Sequence, residues 1–271
     1  MTVSNDIIVD TDWLESQLHN PQIRIIDVRK NDYLDGHIPG AVNAPGWTYF
    51  TDSNAEITGN TSPDDFREKA EKLGINDDSI VVVYDIGNQY DAPRLFFLLE
   101  YYGHRNVKWL NGGYKAWVQQ KKEIQKDNTV VQRGTFTPII SAHRLVDKAF
   151  ILDNLENSNV AILDVRSSEE YSGEKSMSKR EGRIPRSLNW EWGQVFTSED
   201  VPLLKTSSEI NKSIQAFEIN DSKTIVPYCQ QNIRASVMYL ALRSVGFDHV
   251  RPYEGSWEEW GNDPNTPIEK G

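Results

Sequence analysis

The chain has 271 residues, above the usual size of one domain, so two domains are expected. Its formal net charge of −11 argues against a nucleic-acid-binding surface, and an apolar fraction of 38% beside a charged fraction of 25% suits a soluble globular protein. The single cysteine, Cys229, excludes intrachain disulfides and a multi-cysteine zinc site; the five histidines show no metal-ligand spacing, so neither a metal nor a cofactor is expected.

Met1 to Asp10 carry no basic segment and no long apolar run. With no membrane-spanning stretch in view, a cytoplasmic protein without membrane association is expected. Asp10-Thr11-Asp12 lead into Trp13 to Leu18, a capping residue followed by amphipathic spacing that predicts a first helix. Ile23 to Arg29 reads as a strand whose end carries Asp27 and Arg29. Tyr33 and Gly36-His37-Ile38-Pro39-Gly40 form a loop entering a short strand at Ala41-Val42-Asn43. Pro63 to Leu73 is helical, with proline at the first turn. Ser79 to Tyr84 is an apolar run expected of a strand buried on both faces, ended by Asp85. Pro93 opens a helix closed by Gly103; Val107 to Leu110 is a last strand, and Gly112-Gly113 turn into a helix with Trp117. Lys121 to Thr135 is polar and without periodicity, and its later part reads as a linker.

The pattern then returns, in the same order. Ser141 to Leu145 restates the first helix start, and Ile162 to Arg166 repeats Ile25 to Arg29. Tyr171 matches Tyr33, and Gly182-Arg183-Ile184-Pro185 matches Gly36-His37-Ile38-Pro39. Ile225 to Cys229 matches Val81 to Asp85, and Glu254 to Trp260 matches Asn111 to Trp117. Two copies of one unit, with short apolar strands alternating with helices, predict an α/β fold of two tandem domains. Each is expected to be a mostly parallel sheet flanked by helices on both faces. The expected boundaries are 1–125, a linker over 126–139, and 140–271.

The differences between the copies point to function. Cys229 stands where the first copy has Asp85, which suggests one working domain and one structural partner. Cys229 falls on a strand-to-helix turn, followed by Gln230-Gln231-Asn232-Ile233-Arg234 and a helical pattern ending at Gly246. Backbone N–H groups and a helix N-terminus there favour negative charge, a thiolate or a bound anion, and Arg234 adds a fixed cation. The bland alternative is a small buried hydrophobe, the usual fate of a lone cysteine. Asn232 sits where a tight turn calls for a left-handed residue. Pro227 cannot donate to a ladder, so its strand needs a bulge or a free N–H position. The second copy is also eight residues longer between Tyr171 and Ile184 than the first is between Tyr33 and Ile38. That insertion carries Lys175, Lys179, Arg180 and, beside it, Arg183; in an acidic chain it suggests an anionic substrate, or a plain solvated loop.

Taken together, the paired Asp-Val-Arg strands, the Gly-His-Ile-Pro-Gly element, the cysteine loop after Tyr228 and the Gly-Ser-Trp-x-x-Trp close resemble the tandem-domain rhodanese family of sulfurtransferases, from about Asp10 to Trp260. The resemblance implies a five-stranded parallel sheet in each domain, an inactive N-terminal domain and a nucleophile in the C-terminal one. It implies that Cys229 takes the outer sulfur of a donor such as thiosulfate, releases sulfite, holds a persulfide and passes the sulfur to cyanide or a thiol, a protein thiol among them. By the same resemblance, Arg234 with Arg183 or Arg180 holds the oxyanion end, and Gln230, Gln231, Asn232 and Ile233 line the loop. Asp164 and Arg166 brace the domain, and Trp257 walls the pocket or belongs to the core. The loop lacks the basic run of vertebrate thiosulfate enzymes and the Cys-Gly-Ser/Thr-Gly loop of mercaptopyruvate enzymes. Gln231 in place of the hydroxyl favours thiosulfate over 3-mercaptopyruvate. Arg186 replaces the usual glycine of the Gly-x-Ile-Pro-Gly element and either reaches the pocket or is a surface variant. A cysteine phosphatase needs Cys-x5-Arg, and Cys229 to Arg234 is one residue short. A non-enzymatic persulfide carrier or regulatory binding module is the remaining alternative.

Overall fold

The computed structural model of the protein describes residues 7–52, 59–87 and 90–271; the first six residues of the N-terminal stretch read for targeting signals lie outside them. The chain divides into two compact units. The first gathers the described residues up to Asp52, Asn60–Ser141 and Phe196–Leu204, and the second holds Ala142–Val195 and Lys205–Gly271. Among the described residues no helix is long and apolar enough to cross a membrane.

The first unit contains β1 (Ile8–Val9), α1 (Thr11–Gln17), β2 (Ile23–Asp27), β3 (Val42–Asn43), α2 (Pro63–Lys72), β4 (Ile80–Tyr84), α3 (Asp91–Tyr101), β5 (Val107–Leu110) and α4 (Gly113–Gln119). Its sheet has five parallel strands in the order β1-β5-β4-β2-β3. Asp10 caps α1 by accepting the Trp13 N–H, and Ser62 caps α2 ahead of Pro63. The helix expected from Pro93 begins two residues earlier, at Asp91. Val81, Val82, Val83 and Tyr84 of β4 are all buried, as suits a strand covered on both faces. Residues 126–139 form no helix or strand and run along this unit. The Gly134 N–H donates to Glu71 O, and the Thr135 N–H to Asn76 Oδ1. Phe196–Leu204, which the repeat alone assigns to the second copy, packs here too: Phe196 lies 6.3 Å from the Trp109 ring, and the Leu204 N–H donates to Asn111 Oδ1.

The second unit contains α5 (Lys148–Asn154), β6 (Val160–Asp164), α6 (Ser168–Ser172), β7 (Leu188–Asn189), α7 (Ser207–Gln215), β8 (Thr224–Tyr228), α8 (Ile233–Ser244) and α9 (Ser256–Trp260). Two expectations need correction. The first helix of this copy does not start at Ser141. Residues Ala142–Arg144 form a single 3-10 turn, and Asp147 is the residue that caps, accepting the Phe150 N–H as Asp10 accepts that of Trp13. The sheet is three laddered strands, β8-β6-β7, rather than five. The missing two positions are held by single parallel bridges, Ile225–Val250 and Val146–Tyr253. Pro227 accounts for the Ile225–Val250 pairing remaining a single bridge. The β8–β6 register is regular from Thr224–Val160 to Tyr228–Asp164, without a bulge. On the opposite side the Ile225 N–H donates to His249 O and Pro227 O accepts the Tyr253 N–H, but between them proline has no N–H to give.

Both units carry one buried ion-pair frame. In the first, Asp27 takes the Arg29 backbone N–H and its guanidinium, at 2.6 Å from Nη2; the Tyr84 hydroxyl donates to Asp27 at 2.7 Å. Arg29 also reaches Gly36 O. In the second, Asp164, Arg166, Tyr228 and Gly182 O make the same bonds. Asp164 and Arg166 are fully buried. Removing one partner of such a pair strands a charge in the core and costs about 3–5 kcal/mol. Urea denaturation is therefore expected to show that loss for Asp164→Ala, and a smaller loss when Arg166→Met is added, since the stranded charge is gone.

Candidate active site

Cys229 follows the carboxyl end of β8 and precedes α8, and it is buried, at 1% exposure. Its loop is short because Asn232, the residue before α8, takes the left-handed conformation at φ 57°. Ser256 closes the turn from beneath. Its Oγ accepts the N–H groups of both Cys229 and Asn232 and donates to Tyr253 O. Trp257 N–H donates to Cys229 O, and Glu258 N–H to Gln230 O.

The first unit repeats this arrangement around Asp85: Tyr114 N–H donates to Asp85 O, and Lys115 N–H to Ile86 O. The position of Ser256, at φ 48°, is held there by Gly113 at φ 54°. A side chain on Gly113 would strike Asp85 O at 2.5 Å. The two copies thus keep one backbone turn and differ in what fills it. In the first, the Asp85 carboxylate itself accepts the N–H groups of Gly87 and Ala92. In the second, a hydroxyl takes that place and the thiol stands free of the carboxylate's role.

Each polar residue of the cysteine loop is held by a named partner. Gln230 donates to Ser178 Oγ, Gln231 to Glu258 Oε1, and Asn232 to Glu254 Oε2. Ile233 is buried at the start of α8. Arg234 makes a two-pronged pair with Glu170, at 2.6 and 2.9 Å. Glu170 is itself fixed by the capping box of α6, where it exchanges hydrogen bonds with Ser167. Burial opposes the charge on Arg234, yet the bond to Glu170 and the field of nearby Cys229 hold its pKa above the ordinary guanidinium value. Burial pushes the Glu170 carboxyl up, and Arg234 outweighs it, leaving Glu170 below the usual carboxylate range.

Trp257 is fully buried in the core cluster with Tyr228, Tyr253 and Trp260, and Arg166 stacks over its ring at 4.4 Å. Asp164 and Arg166 stand behind the loop in the frame described above. The insertion is docked beside the loop by Ser178, whose hydroxyl donates to Trp257 O, and by Ser176, which accepts from the Trp257 indole. Its arginines do not serve as expected. Arg180 binds the carbonyls of Trp260, Asp263 and Thr266, and Arg183 binds Glu269 and Gly271 O. Both guanidiniums are taken up by the C-terminal segment rather than offered to a ligand at Cys229. Lys175 and Lys179 are exposed. Arg186 points to the surface and pairs with Glu156. Glu170 and Ser256 escaped the sequence reading. The spacing Ser167-x-x-Glu170 was the available signal for the first; the second lay inside the Gly-Ser-Trp element without marking itself as a loop anchor.

Two α/β units built on one frame, with a cysteine turn in the second and an aspartate turn in the first, define a duplicated cysteine-loop protein. The chain belongs to the rhodanese-like domain family, which matches it twice, over residues 10–120 and 148–263. It is 30% identical to the sulfur carrier protein TtuD of Thermus thermophilus, over 98% of this chain and 97% of that one. It is 29% identical to a thiosulfate sulfurtransferase of Azotobacter vinelandii, over 97% of each. The crystal structure of SseA from Escherichia coli, a 3-mercaptopyruvate sulfotransferase, superposes with a TM-score of 0.83 at 27% identity, covering 93% of this chain and 98% of that one.

Asp85 makes a testable difference between the two turns. Burial pushes its carboxyl up to about 6, against the two N–H bonds that favour its charge. An unfolded aspartate titrates near 3.9, so between about pH 4 and 6 the folded chain holds a proton that the unfolded chain has lost. Stability from this group is therefore fully present below about pH 4, falls as the pH rises, and levels above 6. Urea midpoints measured from pH 4 to 7 are expected to fall less in Asp85→Asn than in the wild type.

Proposed function

We propose that the protein is a sulfurtransferase that moves sulfane sulfur from thiosulfate to a thiophilic acceptor, cyanide or a thiol, through a persulfide on Cys229. Family membership and the sulfur-handling names of its relatives support the reaction class. The observation that carries the assignment is the turn itself. The residue that bears the chain's single thiol directly follows a parallel strand, stands just before a twelve-residue helix and is coupled electrostatically to Arg234.

In the first half-reaction the Cys229 thiolate attacks the outer sulfur of thiosulfate. A sulfur–sulfur bond forms at Cys229 as the one to the sulfonyl sulfur breaks, and sulfite departs with that electron pair. In the second, cyanide or a thiolate attacks the terminal sulfur and the Cys229 thiolate is released. No external oxidant is needed, and ping-pong kinetics follow. Arg234 and those loop N–H groups that Ser256 does not take hold the oxyanion end, without Arg180 or Arg183. Glu170 aims Arg234. Deep burial shields the persulfide from oxidation. Gln231 offers no hydroxyl to a keto acid and its amide is tied to Glu258, which supports thiosulfate over 3-mercaptopyruvate.

Steady-state thiocyanate formation from thiosulfate and cyanide is expected in the wild type and absent in Cys229→Ala, with mass spectrometry showing one added sulfur on Cys229 when cyanide is omitted. Turnover with 3-mercaptopyruvate alone would overturn the donor assignment. A stable persulfide without small-molecule turnover would favour the carrier reading, which the resemblance to TtuD and the ion-paired state of Arg234 support. Glu170→Gln removes one charge from the Arg234 pair while keeping its shape. It is expected to change the KM for thiosulfate more than kcat, since a less neutralised Arg234 binds the dianion more tightly.

A further inference from the structure

Arg186 has no part in the cysteine site, yet it occupies a costly position. Its backbone is left-handed, at φ 62°. The matching residue of the first copy is Gly40, at φ 77°, with open space where a side chain would begin. Glycine is the ordinary solution for such a conformation, and a long cation there needs a reason. Arg186 lines a cavity of about 210 Å³ in the second unit. Val160, Ile162, Leu188, Phe217 and Ile219 supply the apolar part of the wall, Asn157 and Ser158 a polar part, and Lys223 a second cation. Ile162 and Ile219 are buried.

The cavity is distinct from the cysteine site. Val160 begins β6, and Lys223 directly precedes β8, whereas Cys229 follows the other end of β8. The length of that strand, at about 3.3 Å per residue, separates them by roughly 20 Å. Ligands of the chemistry proposed above bind at the carboxyl ends of parallel strands, so this cavity at the amino ends is not an extension of that site.

We propose that this cavity is a second ligand site, for a compact anion with an apolar tail, of the monocarboxylate class. The tail fills the space between Ile162, Leu188 and Ile219, and the carboxylate meets Lys223 and Arg186 at the mouth. Lys223 has no ion-pair partner among the described residues. The Arg186 guanidinium pairs only with Glu156, while its backbone N–H donates to Glu269 Oε2, and the guanidinium pair is exposed on both sides, with side chains 57% and 82% accessible. An exposed pair of this kind holds weakly, so a carboxylate arriving with a buried tail displaces Glu156 at little cost.

The test uses the full chain with methyl-labelled isoleucine and leucine, and hexanoate as the probe. Saturable shifts are expected at Ile162, Leu188 and Ile219. Hexanol, which keeps the tail, and acetate, which keeps the charge, are expected to bind at least about tenfold more weakly. Lys223→Gln and Arg186→Gly should each weaken hexanoate about tenfold and leave hexanol unchanged. Arg186→Gly relieves the left-handed strain, so loss of fold is not at issue. Equal binding of hexanoate and hexanol would reduce the cavity to an apolar void and overturn the proposal. So would unshifted methyls, or variants that bind hexanoate as the wild type does.

Discussion

The structure depends first on a buried aspartate–arginine pair at the end of a strand. In the second unit Asp164 accepts the backbone and side-chain N–H groups of Arg166 and the hydroxyl of Tyr228. Arg166 reaches the carbonyl of Gly182, and the Tyr228 hydroxyl accepts the Ile184 N–H. One carboxylate therefore fixes the ends of β6 and β8 and the return of the insertion together. Cys229 is the next residue after Tyr228, so its position inherits that rigidity. A buried pair is no bargain for stability in itself, because desolvation offsets much of the attraction. Its value is that Asp164 has few other satisfied arrangements, which makes the geometry of this strand end close to unique.

That frame explains how one backbone turn carries two different side chains, Asp85 and Cys229. The turn at Asp85 and the turn at Cys229 are anchored by the same pair of backbone bonds, from Tyr114 and Lys115 in one unit and from Trp257 and Glu258 in the other. The first loop is longer before its helix, and the Asp85 carboxylate folds back onto Gly87 and Ala92. It is an anion held by its own loop. The second loop is shorter, and Ser256 takes two N–H groups in place of a carboxylate. The thiol is then the only group of the loop able to carry negative charge, and Arg234 lies within its field.

Much of this was legible because it is local. Strand runs, helix caps and the repeat are written in neighbouring residues: Asp10 and Asn232 do what their types suggest, and Cys229 lies on the expected turn. What was not legible depends on partners far along the chain. Arg180 and Arg183 look like free cations in the insertion, but their carbonyl and carboxylate partners lie some eighty residues later, in a C-terminal segment with no pattern of its own. Glu170 is an ordinary cap residue until Arg234 is brought to it by the fold. Ser141 imitates a helix start, while Asp147 wins because Lys148 to Asn154 follow it with a buried Ile151. Of the two solutions open to Pro227, a bulge or a free N–H position, the structure takes the second, and which side of the strand then loses a bond depends on a neighbour more than twenty residues on, at Val250.

The charge balance around Cys229 follows from these long-range partners. An acidic chain that drew anions to its thiol with three arginines would be a strong small-anion binder. Here two of the three are bound to the C-terminal segment, and the third is paired with Glu170. What remains to stabilise an anion is Arg234, partly neutralised, and the backbone of the loop. Backbone N–H groups recognise a thiolate or a persulfide wherever the sulfur came from, whereas free guanidiniums favour a charged donor. On the proposed function, the loop is built more firmly to hold sulfur on Cys229 than to select the small anion that delivers it, which leaves the choice of partners to groups outside the loop.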